Sequence, residues 1–173
     1  MERKRIICSV PLLGALALAL AGCGTGTPNG GTLTSALDNS AWSASQWISA
    51  KNAPVVTGPV QGANERAADG ASWFVSTLKN EQKVVEAKWM TAGLGVYDLY
   101  VNGHLVGNEV LKPGFTHYAK TKRSFTYDIT SLIDNKADAQ NVFSAQVTPG
   151  WWADKIITPG GNDGMIGKKP AFR

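Results

Sequence analysis

Gly93-Leu94-Gly95-Val96-Tyr97-Asp98-Leu99-Tyr100-Val101-Asn102-Gly103-His104-Leu105-Val106-Gly107 decides the fold class of this chain. Apolar Tyr97, Leu99 and Val101 alternate with Val96, Asp98 and Tyr100, so two faces of one strand carry different side chains. Asn102-Gly103 follows, and that pair suits a type I′ turn because both central residues need φ > 0. His104 to Val106 then reads as the returning strand. A second stop comes at Pro113-Gly114, where a fixed φ followed by a permissive residue predicts a type II turn.

The same grammar extends along the chain. Ser72 to Leu78, Gln82 to Thr91, Lys122 to Asp128 and Asn141 to Thr148 read as strands. Val142, Ser144, Gln146 and Thr148 oppose Phe143, Ala145 and Val147. Phe125 and Tyr127 share a face. Asp128 to Ile133 reads as a short helical turn capped by Asp128 or Thr130. Tyr97, Tyr100, Phe125 and Tyr127 stand at strand spacing, which predicts core packing. Short strands joined by Gly, Pro and Asn turns, with few amphipathic helices, predict an all-β sandwich in one domain.

The first residues have another role. Arg3, Lys4 and Arg5 precede an apolar run, Ile6 to Leu20. That run has secretory-signal length and falls short of the roughly 20 apolar residues of a spanning helix. Leu20-Ala21-Gly22-Cys23 then resembles a bacterial lipobox. The resemblance implies cleavage before Cys23 and a diacylglyceryl group on its sulfur; ordinary secretion is the alternative. Residues 1–22 are therefore expected to be a lipoprotein signal peptide. The implied location is the cell envelope of a bacterium, at the outer membrane if the cell is Gram-negative, because no Asp follows Cys23. Cys8 leaves with the signal, so the mature chain has no partner for an internal disulfide. Loss of three basic and one acidic residue lowers the formal charge from +4 to +2. Scattered Lys and Arg carry no nucleic-acid footprint. The membrane partner acts through the lipid, with residues 23–40, rich in Gly, Thr, Ser and Asn, as a flexible tether.

Residues 41–173 are expected to hold the sandwich. Several pieces of it, in order, resemble the N-terminal domain of bacterial α-L-rhamnosidases. They are Ser72-Trp73-Phe74, the Ala92 to Gly103 segment, Leu111-Lys112-Pro113-Gly114-Phe115-Thr116-His117-Tyr118, Phe125-Thr126-Tyr127-Asp128-Ile129-Thr130, Asn141-Val142 and Gly150-Trp151-Trp152. The resemblance implies a jelly-roll β-sandwich, similar to galactose-binding-like modules. In that family it stands ahead of further β-domains and a catalytic (α/α) barrel. The whole enzymes remove terminal α-L-rhamnose with inversion, through an acid and a base carried by the barrel, and those residues map onto nothing here. Gly150-Trp151-Trp152 and Ala153-Asp154-Lys155 depart from the family's usual Gly-Trp-Tyr and Arg-Gly. Lys168 to Arg173 reads as the start of a strand, so the sandwich is expected to be incomplete at its C-terminus and the chain a fragment.

Inverting hydrolysis needs two carboxyl groups about 6.5–9.5 Å apart, and no motif among Glu65, Glu81, Glu86, Glu109 and the Asp residues sets such a pair. His104 and His117 lack zinc-ligand spacing, and no helix follows Gly93-Leu94-Gly95 to make a phosphate loop. Trp151 and Trp152 are the candidate sugar contacts, since an indole face can stack on the C–H face of a pyranose. Asp154, Asn162 and Asp163 lie in the same Gly-rich segment and would supply polar contacts to the hydroxyls. Such an oxygen-rich loop also suits Ca²⁺. The other reading of the pair is packing: one Trp in the core, the other against a neighbouring domain. Three roles remain open from sequence: an accessory domain that helps hold a rhamnose-containing glycan, an independent sugar-binding lipoprotein, or a structural sandwich without a ligand.

Overall fold

A computed structural model describes residues 7–8, 16–17, 30–35, 39–51, 70–153, 167 and 169–173. Two antiparallel sheets stack face to face. The first has the order β1 (Ile7–Cys8), β2 (Leu16–Ala17), β5 (Lys88–Leu94), β8 (Ser124–Asp128), β3 (Thr32–Leu33), with β10 (Ala171–Phe172) also on β5. The second has the order β4 (Ser72–Lys79), β9 (Gln140–Thr148), β6 (Val96–Val101), β7 (His104–Leu105). Two short helices, α1 (Asn39–Ser43) and α2 (Gly150–Ala153), complete the described elements with a 3₁₀ turn at Thr130–Leu132. The all-β sandwich expected from the strand pattern is therefore the observed architecture.

Alternation sets which side chains enter. Tyr97, Leu99 and Val101 of β6 and Phe143, Ala145 and Val147 of β9 all point inward and are buried. They meet Trp89 of β5 and Tyr127 of β8 from the facing sheet. Each large buried ring removes on the order of 150–250 Å² from water, a gross gain of several kcal/mol. Gly93 is required by this packing, because a Cβ there would collide with the Tyr97 ring.

The hairpin turn forms as read: Asn102 has φ 51° and Gly103 has φ 82°. Two other expectations change. Gln82 to Ala87 is not strand; Val84 N–H donates to Asn135 O at 2.9 Å and Ala87 N–H to Thr130 Oγ1 at 2.9 Å, so loop partners replace a ladder. The type II turn at Pro113-Gly114 gives way to a turn over Leu111 to Gly114. Gly114 N–H closes it on Leu111 O at 2.9 Å, across a cis Lys112–Pro113 bond, with the Lys112 side chain drawn into the interior. Thr32 and Leu33, expected in the tether, pair with Asp128 and Tyr127 as β3, so sheet structure begins ahead of residue 41. Within the expected signal segment, Leu16 and Ala17 pair with Trp89 and Lys88.

One polar cluster ties the hairpin to both its flanks. Asn141, 1% exposed, accepts at Oδ1 from Asn102 Nδ2 (2.8 Å) and Asp134 N–H (2.7 Å). Its Nδ2 donates to Asn80 Oδ1 (3.2 Å) and Asp134 O (3.1 Å). Asn102 Oδ1 accepts from Val142 N–H at 2.9 Å. Burying an amide is tolerable only when its capacity is used in this way. Asn141→Ala is expected to lower unfolding free energy by about 2–4 kcal/mol, because several partners lose their bonds together. Gly103→Ala, which meets no neighbour but keeps a positive φ, is expected to cost only about 1 kcal/mol. Urea unfolding of both variants checks the ranking.

Candidate functional site

The loop from Val106 to Lys122 folds across one edge of the sandwich and carries the least ordinary group in the protein. Lys112 is 2% exposed. Its Nζ donates to Val106 O at 3.1 Å and stands 5.2 Å from the Tyr127 ring centroid and 5.9 Å from that of Tyr97. Burial pulls the ammonium below the ordinary lysine range, while the charges of Asp98 and Glu109 act in the opposite direction. Burial also pushes the phenols of Tyr97 and Tyr127 upward. Tyr127 Oη donates to Glu109 Oε2 at 3.0 Å, and Tyr97 Oη shares a hydrogen bond with Thr91 Oγ1 at 3.2 Å. A buried amine beside acids and phenols has the look of a reactive centre. Here the amine, both phenols and Glu109 already hold internal partners, and the ammonium binds the loop's own carbonyl, so the arrangement clamps the loop onto the rings. No feature of Leu111-Lys112-Pro113 in sequence marks that lysine as buried.

Trp151 and Trp152 lie together on α2, both half-buried. Trp152 packs edge-on to Tyr118 at 5.3 Å, and Tyr118 in turn meets Phe115 at 5.8 Å. Trp152 Nε1 donates to Lys169 O at 2.8 Å. A Cβ on Gly167 would collide with its indole. These contacts tie α2 to the loop and to the approach of β10. Asp154, Asn162 and Asp163, expected beside the pair, lie outside the described residues, as does Cys23. The Ca²⁺ reading rests on those same positions. Among the described residues no group of three or more His, Cys, Asp or Glu is placed to hold a metal. His104 and His117 are both exposed.

The outer face of the second sheet was not singled out by sequence reasoning. Trp73, 53% exposed, projects from β4 and reaches Tyr100 of β6, ring centroids 5.6 Å apart. Strand spacing predicted Tyr100 in the core; the alternation of β6 instead turns it outward with Asp98. The signal available was that alternation itself, which had already put Tyr100 opposite Tyr97, Leu99 and Val101.

With fold and site described, the class is that of a β-sandwich module. Residues 82–173 match the family described as Alpha-L-rhamnosidase N-terminal domain, and the chain belongs to that family. It is similar to an α-L-rhamnosidase of Alteromonas sp. (strain LOR), 31% identical over 121 residues that make up 69% of this chain and 12% of that protein. It is also similar to an α-L-rhamnosidase of Streptomyces avermitilis, 40% identical over 86 residues, 50% of this chain and 7% of that one. The fold matches native α-L-rhamnosidase from Aspergillus terreus with a TM-score of 0.65 at 22% identity, over 79% of this chain and 14% of that structure. The chain thus spans a small part of each relative.

Lys112→Met tests the clamp, because it removes the charge at similar volume. The folded chain releases the Lys112 proton at lower pH than the unfolded chain does, so the unfolded state binds more protons in between. Wild-type stability is therefore expected to rise relative to the variant as pH climbs toward the ordinary lysine pKa of about 10.4. Urea midpoints across that range check it, and a constant difference would contradict the buried ammonium.

Proposed function

We propose that this chain is the non-catalytic N-terminal accessory module of an envelope-anchored α-L-rhamnosidase, held at the membrane by a lipid on Cys23. The match of residues 82–173 to the family carries the rhamnosidase part of the reading, and Leu20-Ala21-Gly22-Cys23 after the apolar run supports the anchor. The use made of the carboxylates supports it. Glu109 accepts from Tyr127, Glu86 pairs with Lys88 at 3.0 Å, and Lys79 pairs with Asp138 at 2.7 Å. Asp128 Oδ1 accepts from Thr130 N–H at 3.0 Å, and Asp134 Oδ1 from Lys136 N–H at 3.1 Å. These carboxylates are engaged within the module, whereas an inverting glycosidase needs two carboxyl groups flanking an open sugar subsite. In the intact enzyme the module would pack beside the further β-domains and the barrel and help retain rhamnose-containing glycan near them.

The full chain is expected to release no p-nitrophenol from p-nitrophenyl α-L-rhamnoside above the buffer rate; release that survives repurification would overturn the non-catalytic assignment. Expressed in a bacterium fed labelled palmitate, the wild type is expected to take up label and sediment with membranes. Cys23→Ser is expected to do neither, and equal labelling of the two would remove the anchor from the proposal.

A further inference from the structure

We infer that β4 is a docking edge, where a second copy of this chain adds its own β4 antiparallel and joins the two four-stranded sheets into one. β4 ends the order β4-β9-β6-β7 and runs from Ser72 to Lys79. The outer strands β1, β3 and β7 have two residues each. Short, bulged, Pro-bearing or charged edges resist pairing with another chain. β4 pairs with β9 along its whole length without a bulge, contains no Pro and carries one charge, Lys79, at its far end.

The register shows which way its backbone groups point. Asn80 N–H donates to Ala139 O at 2.9 Å, just past the end of the β4–β9 ladder. On the other side of β9, Asn102 N–H donates to Val142 O at 2.8 Å, so Val142 and every second residue after it bond β6. Asn141, Phe143, Ala145 and Val147 are left to bond β4, and they stand opposite Leu78, Ser76, Phe74 and Ser72. Trp73, Val75, Thr77 and Lys79 therefore turn N–H and C=O away from β9. Among the described residues no backbone hydrogen bond meets them at that edge.

The strand matches itself when turned around. Two such edges exchange hydrogen bonds only where these four residues oppose one another, and a two-fold axis at Ser76 uses all of them. Trp73 then stands opposite Lys79 of the second copy, and Val75 opposite its Thr77, on the outer face. Phe74 stands opposite Leu78 of the second copy on the inner face, and the small Ser76 meets its own copy on the axis. Lys79 gains an aromatic flank; its contact with Asp138 is exposed on both sides and worth little. Phe74 and Leu78 pack against the core but are only partly buried, so their meeting at the seam covers an open flank of both cores. An axis one residue away, at Val75, would set Phe74 against Ser76 and Leu78 against Ser72. This self-match, the mark of an isologous contact, names a second copy as the occupant. The seam is about 27 Å long, which puts its area at the low end of specific interfaces and makes the dimer reversible.

Sedimentation of the full chain at up to about 0.5 mM tests this. The mean mass is expected to rise toward twice the monomer mass with concentration. Val75→Pro removes an edge N–H and spares the β9 ladder; it is expected to hold the chain at monomer mass while thermal unfolding stays cooperative. Trp73→Lys, which opposes like charges across the seam, is the second variant, expected to weaken dimerisation at least tenfold should Val75→Pro fail to fold. Adding Lys79→Glu to it is expected to restore the dimer. In a Cys8→Ser, Cys23→Ser background, Ser76→Cys is expected to form a disulfide between copies on oxidation, because opposed residues at that position bring their Cα atoms to about 4.5 Å. Ser72→Cys is expected not to. Monomer mass at every concentration would overturn the proposal. So would a dimer that survives both Val75→Pro and Trp73→Lys, which would lie elsewhere on the chain. A disulfide from Ser72→Cys and none from Ser76→Cys would overturn the register.

Discussion

Burial of Phe172 holds the two sheets in register with each other. Its ring, with no exposed surface, meets Tyr97 at 5.5 Å, Phe74 at 6.2 Å and Trp89 at 6.5 Å, and Trp89 in turn meets Phe143 at 5.3 Å. Strands β4, β5 and β6 therefore converge on a side chain from a strand of two residues, and β9 joins through the Trp89 ring. The backbone fixes that strand on both sides. Phe172 and Ile48 exchange hydrogen bonds at 2.8 and 2.9 Å, and Arg173 and Ala92 at 2.7 and 2.8 Å. The Arg173 guanidinium lies 4.3 Å over the Trp42 ring and donates to Trp42 O, Ser45 O and Ser45 Oγ. Residues separated by well over a hundred positions thus close one core, a contact whose loop-closure entropy must be overcome before it contributes.

The interior contains two buried polar solutions of different kinds. Around Asn141 every amide group finds a neutral partner, so the cluster tolerates a low dielectric at little cost. Lys112 brings an amine, whose charged form is compensated by one carbonyl, two ring faces and more distant acids. Ammonium over an aromatic face recovers part of the lost hydration, and the remainder appears as its lowered pKa. The first cluster joins the hairpin tip to β9 and the Asp134 loop; the second draws Leu111 to Gly114 against the rings. Both are turned inward.

Much of this was legible before any coordinates. The alternation through Val96 to Val101 and Asn141 to Thr148 assigned both faces correctly, because period two is a local property of an extended chain. Asn102-Gly103 specified its turn for an equally local reason. Tyr100 was misplaced because aromatic character and core membership were treated as one thing, whereas its face is set by its neighbours Leu99 and Val101. Trp151-Trp152 stood out as candidate sugar contacts or packing residues, and the structure adds that Trp152 donates its N–H to Lys169 O and packs edge-on to Tyr118. Trp73 sat in an ordinary strand motif, and its exposure follows only from the inward turn of Phe74 and Leu78.

Sequence alone therefore determined the central strands and the hairpin, since these depend on spacing of two residues and on turn chemistry within four. Tertiary structure alone decided that Lys112 is buried, that Phe172 is the shared centre of the core and that Trp73 and Tyr100 meet across β9. Those outcomes are contacts between segments far apart in the chain, and no local rule of propensity or periodicity contains the identity of the distant partner.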